Sequence, residues 1–342
     1  MGTKAASDDN SRAPEAAFWE SDGERVHCLL CPQDCRIADG RVGICRVRKN
    51  VGGTLRTINY AQVTSAGMDP IEKKPLYHLH PGSSILSLGT WGCNLGCMCC
   101  QNYGISQGQP ATQTLSPEQA VKAALDARSR GNIGIAYTYS EPIVWYEYVR
   151  DTAKLAHEAG LKNVLVTNGL IREGPLEELL PLVDAMNVDI KAMDDGFYRK
   201  LCGIRSGEQA RRTVEAAWGR CSVEITNLLV TDENDSEEQV RRLVDWAVSI
   251  SEDLPLHLSA YRPMYKMTAP PTPMDRLQRA AEIARERLNF VYVGNAWVQG
   301  GGDTVCPDCG KVAVERDGFD ARSRLNAEGG CPECGRDLNV TV

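Results

Sequence analysis

The chain has 342 residues, 38 of them basic and 45 acidic, with a net charge of −7 and 42% hydrophobic content. This length allows one large domain or two to three smaller ones, and the apolar share is ample for a substantial core. The negative balance gives no general basic footprint for a phosphate backbone, no apolar run reaches a membrane span, and no apolar signal segment follows Met1, so nucleic-acid and membrane partners are not indicated and a cytoplasmic protein is expected.

Along the chain, residues 1–19 begin polar and small and read as a flexible tail. Residues 20–79 form a Cys-rich module with strand-like pieces such as 54–60. Residues 80–300 then alternate short apolar strands with helical stretches. Strands are predicted at 84–88, 133–139, 163–167, 186–190, 223–230, 254–260 and 290–293. Ser116, Pro117 and Gln119 read as N-cap, N1 and N3 of a helix running to about Arg130. Further helices are predicted over 144–159, 176–183, 208–218 and 236–250, the last capped near Asp235. Thr272, Pro273 and Asp275 open a final helix, with Asp275 placed to close a capping box. The run Gly300-Gly301-Gly302 leads into a compact module over 301–342, either packed across a barrel edge or joined by a plain linker.

Strands joined by helices on every crossover imply an α/β fold with a parallel sheet buried on both faces. Seven candidate strands suit a barrel, either closed with eight strands or partly open with six. A Rossmann fold is the alternative, but no GxGxxG follows the first strand.

Fourteen cysteines fall into three groups, with Cys202 and Cys221 outside them and most simply read as buried small hydrophobes. Clustering without a signal segment favours metal binding over disulfides. In the central group, Cys93, Cys97 and Cys100 follow the first barrel strand at C-x3-C-x2-C spacing. Three thiolates can bind three irons of a cubane and leave the fourth iron open for a small chelate. Cys99 raises a second register, C-x3-C-x-C. A pair of core cysteines or a zinc knuckle is the bland reading. Cys306, Cys309, Cys331 and Cys334 form paired CxxC motifs suited to a tetrahedral zinc ribbon, with iron in a rubredoxin-like site as runner-up. Cys28, Cys31, Cys35 and Cys45 could bind zinc or an auxiliary iron–sulfur cluster.

The central motif resembles the CxxxCxΦC of radical SAM enzymes, with Cys99 where an aromatic usually stands. The likeness extends through CLLCP…C at 28–35, TYSEP at 138–142, VTNG at 166–169, DIKAM at 189–193, YRKLCG at 198–203, YKMT at 265–268 and VYVGN at 291–295. From about Cys28 to Cys334 the chain is similar to the radical SAM enzyme of the AmmeMemoRadiSam system, a group close to pyruvate formate-lyase activating enzymes. That resemblance implies a radical SAM (β/α) barrel and an oxidoreductase-type radical enzyme. Its cofactors would be a [4Fe–4S] cluster and S-adenosylmethionine, and its electron donor a protein such as flavodoxin or ferredoxin. A reduced cluster would cleave S-adenosylmethionine to methionine and a 5′-deoxyadenosyl radical. The radical would abstract hydrogen from a glycine in a protein substrate, or else modify a small molecule or peptide. A metal-bearing scaffold without enzymatic activity is the reading from another class.

The resemblance also nominates cofactor contacts at strand ends. Ser140 and Glu141 stand where the family carries a GGE-type motif that receives the cofactor's α-amine, although the glycines are replaced. Thr167 and Asn168 end the third strand, and Asp189 and Lys191 the fourth. Arg262 stands where relatives usually have His; it can hydrogen-bond but cannot act as a base at neutral pH. Tyr265, Lys266 and Met267 follow in a loop that could contact substrate. His257 is read as a strand residue with local partners, and Tyr292 and Asn295 close the series.

Overall fold

A computed structural model describes residues 12–342 of the chain. In chain order, a three-stranded antiparallel sheet comprises β1 (Trp19–Asp22), β2 (Arg25–Cys28) and β3 (Arg36–Ala38). A hairpin of β4 (Arg48–Val51) and β5 (Thr54–Thr57) follows, then β6 (Gln62–Val63) and β7 (Ser65–Pro70). The flexible-tail expectation lies outside the described residues over 1–11. Beyond them it needs correction: the Ala16 amide donates to Leu55 O at 2.8 Å and Ala16 is buried, because this segment packs on the hairpin.

The alternating region begins with β8 (Ser84–Gly89), α1 (Tyr103–Ser106), β9 (Gln113–Thr114), α2 (Pro117–Asp126) and β10 (Asn132–Tyr137). It continues through α3 (Tyr146–Glu158), β11 (Lys162–Thr167), α4 (Glu173–Leu179), β12 (Ala185–Asp189), α5 (Asp195–Phe197), α6 (Glu208–Ala217) and β13 (Ser222–Leu229). The last units are α7 (Glu237–Ile250), β14 (Leu256–Ala260), α8 (Met274–Arg285) and β15 (Val291–Gly294). All seven predicted strands form, and each pairs in parallel with the next in sequence from β8 to β15, β9 excepted. The sheet is open. β15 forms one edge, and β7 adds an antiparallel strand beside β8 at the other. Seven parallel strands and one antiparallel edge strand thus stand where the sequence left eight or six. The extra strand comes from 65–70, whose turn-like Gly67 and Pro70 obscure its alternation.

Local chemistry explains the helix starts. Ser116 Oγ accepts from the Gln119 amide, and Gln119 Oε1 accepts from the Ser116 amide, so the predicted capping box forms. The α7 cap is Ser236 rather than Asp235. The box expected at Thr272 does not form. Its hydroxyl donates to Leu229 O and accepts from the Tyr261 amide, because two strand ends lie within reach and leave buried backbone groups to satisfy.

The C-terminal segment forms a three-stranded antiparallel ribbon of β16 (Thr304–Val305), β17 (Val312–Asp317) and β18 (Asp320–Ser323). It packs at the N-terminal ends of the parallel strands. Arg316 is buried there, with its guanidinium over the Tyr77 ring at 4.2 Å and donating to Tyr77 O at 2.7 Å. No helix among the described residues is long and apolar enough to cross a membrane.

Candidate active site

The parallel strands place their following loops side by side at the C-terminal edge of the sheet. The loop after β8 carries Cys93, Cys97, Cys99 and Cys100. Its backbone is held by a single π-helical turn, Tyr198–Cys202, where the Gly96 amide donates to Cys202 O and the Met98 amide to Leu201 O at 2.9 and 2.8 Å.

Donors converge on the thiols of this loop. The Leu95 amide lies 3.3 Å from Cys93 Sγ, and Asn168 Nδ2 approaches the same sulfur at 3.9 Å. Cys100 Sγ lies 3.2 Å from Ser106 Oγ. The neighbouring Cys202 thiol, with the Lys191 charge assisting, lowers Cys97 to about 7 despite burial. The same pairing and burial raise Cys202. Burial pushes Cys93 well up, with Glu141 and Cys97 adding, and pushes Cys99 up to about 11. This donor set fits a cluster-binding loop, since hydrogen bonds to sulfur stabilise thiolate ligands and tune a cluster. Cys202 is buried in the core as expected from the sequence, and the Gly96–Cys202 backbone bond sets it beside the cysteine loop. Its position in YRKLCG was the available signal, but it has no CxxC partner and its proximity arises through the fold.

Glu141 sits at the centre of the neighbouring loops. Its Oε1 accepts from Thr167 Oγ1 at 2.6 Å and the Ile143 amide at 3.1 Å, and its Oε2 accepts from the Asn168 amide at 2.8 Å. A carboxylate has about four acceptor directions, so roughly one remains. Burial raises this carboxyl to about 7 against those hydrogen bonds. Tyr139, in the position of a missing family glycine, adopts φ +67° and anchors its hydroxyl on Asp69 at 2.5 Å. The glycine-like backbone thus persists without glycine. Ser140 Oγ beside it is buried and has no partner among the described residues.

Asn168 also donates to Asn94 Oδ1 at 2.8 Å, tying the third strand end to the cysteine loop. Asp189 and Lys191 pair at 3.1 Å on the next strand end. Burial opposes the Lys191 charge, but Asp189, Cys97, Cys202 and Cys99 outweigh it and hold the amine well above its ordinary value. Asn227 and Asn234, which sequence reasoning missed, fasten this loop by donating to Ile190 O and Lys191 O at 2.7 Å each.

Arg262 lies exposed after β14, separate from the Glu141 cluster of hydrogen bonds. Its loop does dock on the cysteines, since the Lys266 amide donates to Met98 O at 3.0 Å. Tyr265 stacks on Tyr103 with centroids 4.7 Å apart, and both rings remain partly exposed. His257 pairs with Glu224 at 2.6 Å in the core, and Tyr292 bonds His78, so both belong to the N-terminal ends of the strands.

Away from this edge, the C-terminal cysteines form two matched knuckles. Gly310 and Gly335 amides donate to Cys306 O and Cys331 O. The sulfurs of Cys306, Cys309, Cys331 and Cys334 all lie within 4.8 Å of one another, which makes this group capable of binding a metal ion. Cys28, Cys31, Cys35 and Cys45 line a separate, small cavity.

The sequence matches the family model of the Radical SAM superfamily over residues 88–247. It is 39% identical to an uncharacterized protein of Methanocaldococcus jannaschii, over 96% of this chain and 99% of that one. It is 23% identical to the pyruvate formate-lyase 1-activating enzyme of Escherichia coli, over 51% of this chain and 73% of that one. Among solved structures, Streptococcus suis SuiB bound to S-adenosylmethionine shares the fold, with a TM-score of 0.51 and 16% identity over 63% of this chain and 52% of that one. The scaffold reading is thereby set aside. The chain belongs to the radical SAM superfamily, related to the pyruvate formate-lyase activating enzymes, and its reaction is of that family's type: cleavage of S-adenosylmethionine to a 5′-deoxyadenosyl radical that modifies a substrate.

Proposed function

We propose that Cys93, Cys97 and Cys100 hold the [4Fe–4S] cluster, that its open iron takes S-adenosylmethionine, and that the radical abstracts hydrogen from a glycine in a protein partner. The observation that carries this reading is the convergence of the Leu95 amide and Asn168 on Cys93 and of the Ser106 hydroxyl on Cys100. Held by these thiolates and reduced, a cluster would supply one electron for cleavage of the sulfonium C–S bond, giving methionine and the 5′-deoxyadenosyl radical.

The chain's own residues orient the cofactor. Glu141 holds the 167–168 turn and keeps about one acceptor direction for the α-amine. The unpartnered Ser140 hydroxyl and the Thr167–Asn168 backbone offer further polar contacts. Asp189 and Lys191 take the ribose or substrate side, and Arg262 stands at the outer rim. A low-potential donor such as flavodoxin or ferredoxin supplies the electron, and zinc occupies the four-cysteine C-terminal ribbon. The exposed Tyr103, Met264 and Tyr265 favour a mouth open to a peptide loop over a sealed small-molecule site. The block likenesses along the chain support membership of the AmmeMemoRadiSam group.

Anaerobic reconstitution tests the reading. Reduced protein should release methionine and 5′-deoxyadenosine, and Cys93→Ala should bring release to background. Cys100→Ala should lose the S-adenosylmethionine-responsive spectrum, whereas Cys99→Ala should keep it. Deuterium should move from an α-deuterated glycyl partner into 5′-deoxyadenosine. No transfer from any candidate partner would remove the glycine assignment.

A further inference from the structure

The N-terminal cysteines occupy a place that a structural zinc knuckle would not need. Cys28, Cys31, Cys35 and Cys45 all face one cavity, whose remaining wall includes Leu30, Ile37 and Val144. Three of the four cysteines are buried and Cys35 is half-buried. The buried Arg48 guanidinium lies 3.5 Å from Cys28 Sγ and also pairs with Glu147. A pocket lined by apolar side chains and one buried cation is suited to several thiolates sharing delocalised negative charge.

Spacing separates one ion from several. Four thiolates on one zinc stand about 3.8 Å apart, from a Zn–S bond of about 2.3 Å in a tetrahedron. The C-terminal group meets this, with Cys306–Cys334 and Cys309–Cys331 at 3.6 and 3.5 Å. Among the described residues, it is also the one group of three or more metal-ligating side chains whose donor atoms all lie within 4.8 Å of one another. No three of the N-terminal sulfurs all lie within 4.8 Å of one another. Thiolates bound to different irons of a cluster require that wider separation.

The cavity also abuts the radical-generating loop at three points. Gln33 Nε2 donates to Asn94 O at 2.6 Å, and Asn94 itself lines the cavity next to Cys93. Gly92, at φ +89°, leaves room for the Cys45 carbonyl: a Cβ there would stand 2.6 Å from Cys45 O. Arg46 donates to Ser106 O, and the Ser106 hydroxyl contacts Cys100 Sγ.

We infer that Cys28, Cys31, Cys35 and Cys45 bind a second iron–sulfur cluster, packed directly against the loop that carries Cys93, Cys97 and Cys100. Four protein thiolates leave it no open iron, so it does not bind S-adenosylmethionine. The inference concerns cofactor content and does not depend on the substrate proposed above.

The test is anaerobic reconstitution of the full chain with ferrous iron and sulfide in the presence of equimolar zinc. Iron, zinc and acid-labile sulfide are counted in the wild type and in Cys93→Ala/Cys97→Ala/Cys100→Ala. The variant should keep about four iron and four sulfide, or about two of each for a smaller cluster. Its dithionite-reduced EPR signal should not change on adding S-adenosylmethionine. The C-terminal ribbon adds one ion and no sulfide, so sulfide is decisive. A folded variant without sulfide, whether holding a second zinc or no metal, overturns the inference. If the variant does not fold, Cys31→Ser/Cys45→Ser gives the complementary count. It should lose about half of the wild-type sulfide and keep a spectrum that responds to S-adenosylmethionine. Unchanged sulfide in that variant also overturns the inference. Failure of wild-type protein to respond to S-adenosylmethionine would strike the proposed function and leave this count intact.

Discussion

Glu141 shows how one residue can satisfy two sequence-level readings at once. It accepts the Ile143 amide as a helix cap, the role any Glu before a proline might play, and it also fastens the Thr167–Asn168 turn beside the cysteines. The turn depends on its neighbour Gly169, at φ +69°. A Cβ there would meet Val188 Cγ1 at 2.7 Å and the Ala210 Cα at 3.2 Å. Gly169→Ala should therefore cost about 1–3 kcal/mol from the left-handed backbone and the overlap. Thermal denaturation would register this as a lowered Tm. Unchanged stability would mean that the turn relaxes freely and does not hold Asn168 in place.

At the level of elements, two capping signals that look alike in the sequence end differently. Ser116 caps α2 as expected because no buried backbone group needs its hydroxyl, which accepts from the Gln119 amide while donating to Glu118 Oε2 at 2.7 Å. Thr272 is buried against two strand ends, so its hydroxyl joins Leu229 to Tyr261 and leaves α8 without a side-chain cap. Thr272→Val keeps the shape but strands a buried amide and a carbonyl. A loss of about 1–3 kcal/mol is expected in urea unfolding, and Thr272→Ser should restore most of it. An unaffected Thr272→Val protein would show that water or a shifted chain satisfies both groups.

Across the whole molecule, the two ends of the sheet are specialised. The C-terminal edge gathers the cysteine loop and its polar neighbours, while the other end is sealed by Tyr77, Glu224, His257, Tyr292 and the inserted Arg316. His78 links that seal to the last residues of the chain. Its Nδ1 donates to Leu338 O at 3.0 Å, and its Nε2 accepts from the Tyr292 hydroxyl at 2.7 Å. Burial lowers His78 from 6.5 to about 4; Glu224 opposes this, and Arg316 and His257 reinforce it. Above pH 6.5 the ring is neutral in both folded and unfolded chains. As pH falls from 6.5 toward 4, the unfolded chain takes the proton and the folded chain does not, so stability declines by up to about 3 kcal/mol. Glu141, raised to about 7, changes stability the other way over the same range, so the His78 contribution is read as the difference between wild type and His78→Asn in denaturant titrations from pH 7.5 to 4.5.

The amino-acid sequence alone determined the features that depend on neighbours in the chain. The seven parallel strands, the α2 cap, the three cysteine groups and the tight CxxC knuckles were all legible, because periodicity and spacing operate over a few residues. It did not disclose β7, whose alternation is blurred, nor the way Thr272 uses its hydroxyl. Tertiary structure decided what meets what: Cys202 beside Cys97, Glu141 beneath the third strand end, Arg316 inside the seal, and the N-terminal cysteines against the loop of Cys93–Cys100. These contacts join residues separated by 26 to 239 positions, and only strand order and the burial of polar groups select them.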